Sequence, residues 1–160
     1  MSYQIEMKTL PEQKILSVTK RVPQSEIAKT IGETLPLIFV YAQKNGIAIA
    51  GLPLTRYPDM NPGLVTLEPA MRVADASTVS GSDQADAEVR LTSLPAGAAA
   101  VTLHAGPYDT LHQAYAALQK WMEAEGRAAA GPPWEEYLTD PGEHPNPEDW
   151  RTEVYWPLKA

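Results

Sequence analysis

The feature that most constrains this chain is that its turn markers recur. Leu10-Pro11 is answered by Leu94-Pro95, and Val22-Pro23 by Gly106-Pro107, both at a spacing of 84. Pro53 and Tyr57 are answered by Pro133 and Tyr137, both at a spacing of 80. Such residues fix where strands and helices begin and end, so their agreement predicts a tandem duplication, with halves at about 1–75 and 87–158. A chain of 160 residues suits one domain. Each half alone would leave an apolar sheet face uncovered, so the two are expected to pack together about a pseudo-twofold axis.

The order within a half is legible in the first one. Tyr3 to Leu10 alternates at Tyr3, Ile5, Met7 and Thr9, which predicts a strand. Ile15, Leu16 and Val18 begin a second strand, which Val22-Pro23 stops. From Gln24 to Asn45 the apolar positions Ile27, Ile31, Leu35, Ile38 and Tyr41/Ala42 follow helical spacing, with Ser25 as expected N-cap and Asn45-Gly46 as the end. Gly32 and Pro36 are weak points inside it. Ile47–Tyr57 and Gly63–Val73 read as two more strands, joined by a turn at Pro58–Gly63. Asp75 to Asp86 is small, polar and acidic, and reads as a linker.

In the second half, a helix is predicted over Asp109 to Glu125, with Leu111, Tyr115, Leu118 and Trp121/Met122 at helical spacing. The stretch Trp134-Glu135-Glu136-Tyr137-Leu138-Thr139-Asp140-Pro141 follows, bounded by turn residues on both sides. In a strand, alternate side chains face opposite ways. Glu135, Tyr137 and Thr139 therefore share one face, and Trp134, Glu136 and Leu138 the other. Trp134 and Leu138 mark a packed side with Glu136 between them, so one of the two glutamates is expected near buried aromatic surface. An unpaired carboxylate there is expensive.

A net charge of −7 gives no basic patch for nucleic acid or anionic lipid, and suits attraction of cations. With no cysteine, disulfides, thiolate metal sites and a cysteine nucleophile are excluded. His104, His112 and His144 lack metal-ligand spacing, the acidic run Gly142–Asp149 reads as a solvated turn, and no phosphate-binding glycine loop occurs. No cofactor or metal is expected. No apolar run approaches a membrane span, and the N-terminus lacks a signal-peptide pattern, so a cytoplasmic protein is expected.

The repeat order, with His104-Ala105-Gly106-Pro107-Tyr108, Trp134 through Pro141, and the terminal Thr152-Glu153-Val154-Tyr155-Trp156-Pro157-Leu158, resembles the GyrI-like family. That family is also known as the bacterial transcription-activator effector-binding domain. The resemblance covers nearly the whole chain. It implies an α+β fold of two SH2-like βαββ units with a central ligand cleft. In relatives this cleft is lined by aromatic residues and holds an acid that pairs with lipophilic cations. Carried across by motif, the acid falls on Glu135, with Tyr137 beside it, and Glu136 takes a position that varies in the family. Tyr57 is the repeat partner of Tyr137, while Glu153 and Tyr155 match a second acid/aromatic pair. Trp121, on the second helix, completes the candidate ligand-binding set; Tyr115 and Trp156 read as core. The best-known relatives carry a DNA-binding helix-turn-helix ahead of this domain. Here the numbering starts at the first strand, and direct DNA binding is not expected.

Three functions fit these residues. The leading one is a stand-alone effector-binding module for lipophilic cationic aromatic molecules, reporting to a separately encoded regulator. A desolvated glutamate can also take a proton from water, so the second is a small-molecule hydrolase with Glu135 as general base and Tyr137 as its partner. The third is a protein-interaction module that inhibits a partner enzyme. Monomer and dimer both remain open.

Overall fold

A computed structural model describes residues 3–59, 63–74, 88–140 and 142–160. The expected linker at 75–86 and the tip of the 58–63 turn lie outside the described residues. The fold is α+β, with antiparallel strand pairing and, among the described residues, two α-helices. The chain divides into two compact units, Glu12–Pro95 and Met1–Pro11 with Ala96–Ala160.

The strands are β1 (Ile5–Leu10), β2 (Gln13–Ser17), β3 (Lys20–Pro23), β4 (Ile49–Asp59), β5 (Leu64–Val73), β6 (Arg90–Leu94), β7 (Gly97–Ala105), β8 (Trp134–Tyr137) and β9 (Arg151–Pro157). The helices are α1 (Ile27–Lys44) and α2 (His112–Ala124).

In the unit Glu12–Pro95, β5 pairs with β4 on one side and with both β2 and β3 on the other. The expected second strand is therefore interrupted: Val18 still donates its amide to Pro69 O at 3.1 Å, and β3 resumes along the other end of β5. β6 pairs with the outer edge of β2. Helix α1 buries Thr34, Ile38 and Ala42, spaced by four, and packs on Leu16, Val18, Val73 and Val89. Ser25 does not cap it. Gln24–Glu26 forms a 3-10 turn, and the position before the helix is Glu26, without a side-chain cap. Pro36 is accommodated inside the helix, on its exposed face, four residues after Gly32. Arg56 reaches Glu68 Oε2 at 2.9 Å and Ser93 O at 3.4 Å, and so binds β4 to β5 and β6.

In the other unit the order is β1-β7-β9-β8, with α2 packed on β7 and β9. Ala100 lies on the face that α2 covers, and Ala114, Tyr115, Leu118 and Met122 form the buried stripe of the helix. The second helix starts later than its apolar pattern suggests, because Tyr108–Thr110 forms a 3-10 turn first. The compact units also differ from the expected halves. β1 belongs to the first half of the sequence but pairs with β7, whereas β6 belongs to the second but pairs with β2. Each half thus contributes its opening strand to the other unit.

No helix among the described residues is long and apolar enough to cross a membrane.

Candidate functional site

β8 is only four residues long, yet every one of them is buried. Its pairing with β9 sets Trp134 opposite Tyr155, Glu135 opposite Val154, Glu136 opposite Glu153 and Tyr137 opposite Thr152. Residues opposite each other share a face, so the alternation expected from the sequence holds for Glu135 and Glu136. Leu138 falls beyond the strand and is exposed, because the chain is already leaving the sheet.

On the face covered by α2, Glu135 is 4% exposed. Tyr115 of α2 donates its phenol to Oε1 at 2.7 Å, and Tyr137 of β8 donates to Oε2 at 2.7 Å. A phenol donor on each oxygen compensates much of the cost of burying the carboxylate. Tyr115 is therefore more than the core residue its spacing suggests. Trp156 lies edge-on to it, with ring centroids 6.2 Å apart.

Tyr108 stands beside this group. Its ring is edge-on to Tyr137 at 5.9 Å and tilted on Trp150 at 4.7 Å. Burial, then the carboxylates of Glu135 and Asp140, raise its phenol above the ordinary tyrosine value. The turn that carries it is held by several bonds. Gly106, at φ +124°, adopts a backbone conformation that L side chains rarely take and donates its amide to Trp150 O at 2.9 Å. The buried His104 places Nε2 3.0 Å from Pro107 O and 3.1 Å from Thr110 Oγ1, so Nε2 carries the proton. Its Nδ1 then accepts from Tyr3 at 2.8 Å. Trp150 is fixed in turn by donation from Nε1 to His144 O at 2.6 Å. Sequence spacing gave no sign of Tyr108 or Trp150 at the site, since they meet Tyr137 only through the turn before α2 and the loop before β9.

The opposite face of the same ribbon carries a second group. Glu136, also 4% exposed, is paired with Glu153, and Trp134 stacks on Tyr155 at 5.3 Å and 6°. Two acids side by side repel. Lys8 Nζ at 3.8 Å and the Tyr155 hydroxyl at 3.2 Å moderate the charge on Glu153. The candidate residues of this unit thus do not gather into one cluster. Glu135 and Tyr137 come together, whereas Glu153 and Tyr155 lie across the sheet from them. Trp121 is half-buried on the last turns of α2, and Tyr57 is buried on β4 in the other unit. Among the described residues no group of three or more His, Asp or Glu could hold a metal ion.

A family model described as the GyrI-like small molecule binding domain matches residues 3–159. Among solved structures, the chain is similar to the EcmrR C-terminal domain, at 26% identity and a TM-score of 0.80, covering 99% of each chain. It is also similar to EcmrR in a complex with DNA, EcmrR-RPo, at 25% identity and a TM-score of 0.84. There 98% of this chain is covered but only 57% of that one, so the chain spans little more than half the length of that relative. SAV2435 bound to tetraphenylphosphonium has a similar fold, at 15% identity and a TM-score of 0.64, covering 100% of this chain and 95% of that one. No curated protein matches.

Proposed function

Because the chain belongs to the GyrI-like small molecule binding domain family, we propose that it is an effector-binding protein whose ligand is a lipophilic aromatic cation, held by Glu135. The observation that carries this is the buried carboxylate with a tyrosine hydroxyl on each oxygen and further aromatic rings at its side. Charge pairing and ring faces together suit a delocalised cation, each ring contributing on the order of 0.5–2 kcal/mol. Aromatic walls give large apolar contact with little rotamer entropy to lose. Tetraphenylphosphonium, the ligand of the structurally similar SAV2435, is such a cation.

The same reading takes the chain as a duplicated βαββ unit, on the strength of its matched turn markers. It assigns the protein to the cytoplasm. A hydrolase with Glu135 as general base is less well supported. Two phenol donors on the carboxylate compete for the lone pairs that would receive water's proton.

A fluorescence titration with tetraphenylphosphonium tests the proposal. Wild type should bind saturably and leave the probe chemically intact, and Glu135→Gln should weaken binding about tenfold or more, about 1.4 kcal/mol. Equal binding by both proteins overturns the role of Glu135. Chemical conversion of the probe by wild type alone selects the hydrolase.

A further inference from the structure

The two helices present unlike outer surfaces. The exposed residues of α2 are polar or alanine, as suits a helix whose far side meets water. Helix α1 buries Thr34, Ile38 and Ala42, and yet it also exposes Leu37, Phe39 and Val40, with Leu37 54% and Val40 57% accessible. A helix that is apolar on its outer side as well is one that another surface normally covers. Leu37 and Val40 do not stand alone. With Glu33 before them and Lys44 after, both exposed, they form one stripe at intervals of four, three and four residues. That is the spacing of a coiled-coil seam. Its centre is aliphatic, and its two ends carry opposite charges.

We propose that this stripe is a docking surface for a second copy of the chain, with α1 of each copy packed antiparallel across a twofold axis that passes between Ile38 and Phe39. A twofold contact has to be self-complementary, and about that point the stripe is its own complement. Leu37 meets Val40 of the other copy, Glu33 meets Lys44 of the other copy, and each contact occurs twice. A parallel pairing would instead set Glu33 on Glu33 and Lys44 on Lys44, so the charges choose the antiparallel arrangement. Glu33 also lies 4.0 Å from Lys29, one turn back, but both side chains are well exposed, and an ion pair so placed is weak enough for Glu33 to turn to a second partner. The apolar centre is small beside the roughly 800 Å² per partner of a standard interface. The dimer should therefore be reversible, and its formation does not depend on the ligand held by the other unit.

Sedimentation velocity over a range of protein concentrations tests this. Wild type should pass from monomer to dimer as its concentration rises through the micromolar range. Glu33→Lys and Lys44→Glu should each move that transition to concentrations about tenfold higher or more, because like charges then face each other at both ends of the stripe. An equimolar mixture of these two variants should associate again, since every end contact between unlike copies then joins opposite charges. The double variant Glu33→Lys/Lys44→Glu should associate like wild type, and Leu37→Gln should weaken association with the far-ultraviolet circular dichroism unchanged. Recovery in the mixture shows that both single variants are folded, so misfolding cannot imitate the result. A wild type that stays monomeric throughout overturns the proposal, as does a dimer that both charge reversals and Leu37→Gln leave intact. Association that the reversals weaken, but that neither mixing nor the double variant restores, overturns the antiparallel twofold pairing.

Discussion

The Tyr108 phenol shows how the site controls charge. Burial and the carboxylates of Glu135 and Asp140 all favour its neutral form, so its value in the folded protein lies above the ordinary 10.0. The stability that follows is fully present below about pH 10 and is lost as pH rises through the folded-state value. Ultraviolet absorbance of tyrosinate should therefore reveal, besides the phenol of Tyr3, which burial also raises, a late-titrating phenol that disappears in Tyr108→Phe. In Glu135→Gln it should titrate earlier, because one of the two carboxylates acting on it is gone. An unchanged titration in Glu135→Gln would place the charge of Glu135 too far away to matter. At this scale, strand alternation alone separates Glu135 from Glu136, because two adjacent residues of a strand must face opposite ways. The partners of Glu135 are harder to foresee. Tyr137 lies two residues along the same strand, but Tyr115 lies twenty residues back on a helix, where its spacing is equally that of a core position.

Among the elements, α1 carries a clear local conflict. Pro36 has no amide proton for Gly32 O, and an interior proline is about 3 kcal/mol less favourable than alanine. Gly32 has nothing within 4 Å of where a side chain would begin, and both residues lie on the exposed face, where water can reach the orphaned carbonyl. Pro36→Ala should therefore stabilise the protein by about 2–2.6 kcal/mol in urea denaturation, after allowing about 0.4–1 kcal/mol for the greater freedom of the unfolded chain. No change would mean that the helix backbone has already adapted to the ring. The existence of both helices was legible from their apolar spacing. Their first turns were not, since Gln24–Glu26 and Tyr108–Thr110 take the 3-10 form, which apolar spacing does not distinguish from an α-helical turn. The interruption between β2 and β3 was likewise hidden, because Ile15, Leu16, Val18 and Val22 alternate and cluster as they would in one irregular strand.

For the molecule as a whole, the matched turn markers point to repeated element order, but they do not say with which half each opening strand pairs. That choice depends on edges: β1 finds β7 and β6 finds β2, across long sequence separations. The compact units are therefore not the expected halves. Fragments 1–75 and 87–160 should each remain largely unfolded alone, because each lacks a strand its own sheet uses. When mixed they should regain secondary structure and hydrogen-exchange protection of β7 and β2 together. Independent, cooperative folding of either fragment would show that the exchanged strands are dispensable.

The exchange of opening strands also sets an order of events as the chain leaves the ribosome. β1 ends at Leu10, and its partner begins at Gly97. At synthesis rates of about 5–20 residues per second, β1 waits roughly 4–17 seconds with its hydrogen-bonding edges unclaimed. The strand Ile5-Glu6-Met7-Lys8-Thr9-Leu10 spends that interval with a charge at every second position of its middle, Glu6 and Lys8. Charges so placed discourage pairing with stray strands. The charges that Glu6 and Lys8 place on one face of β1 thus also guard the strand in the nascent chain.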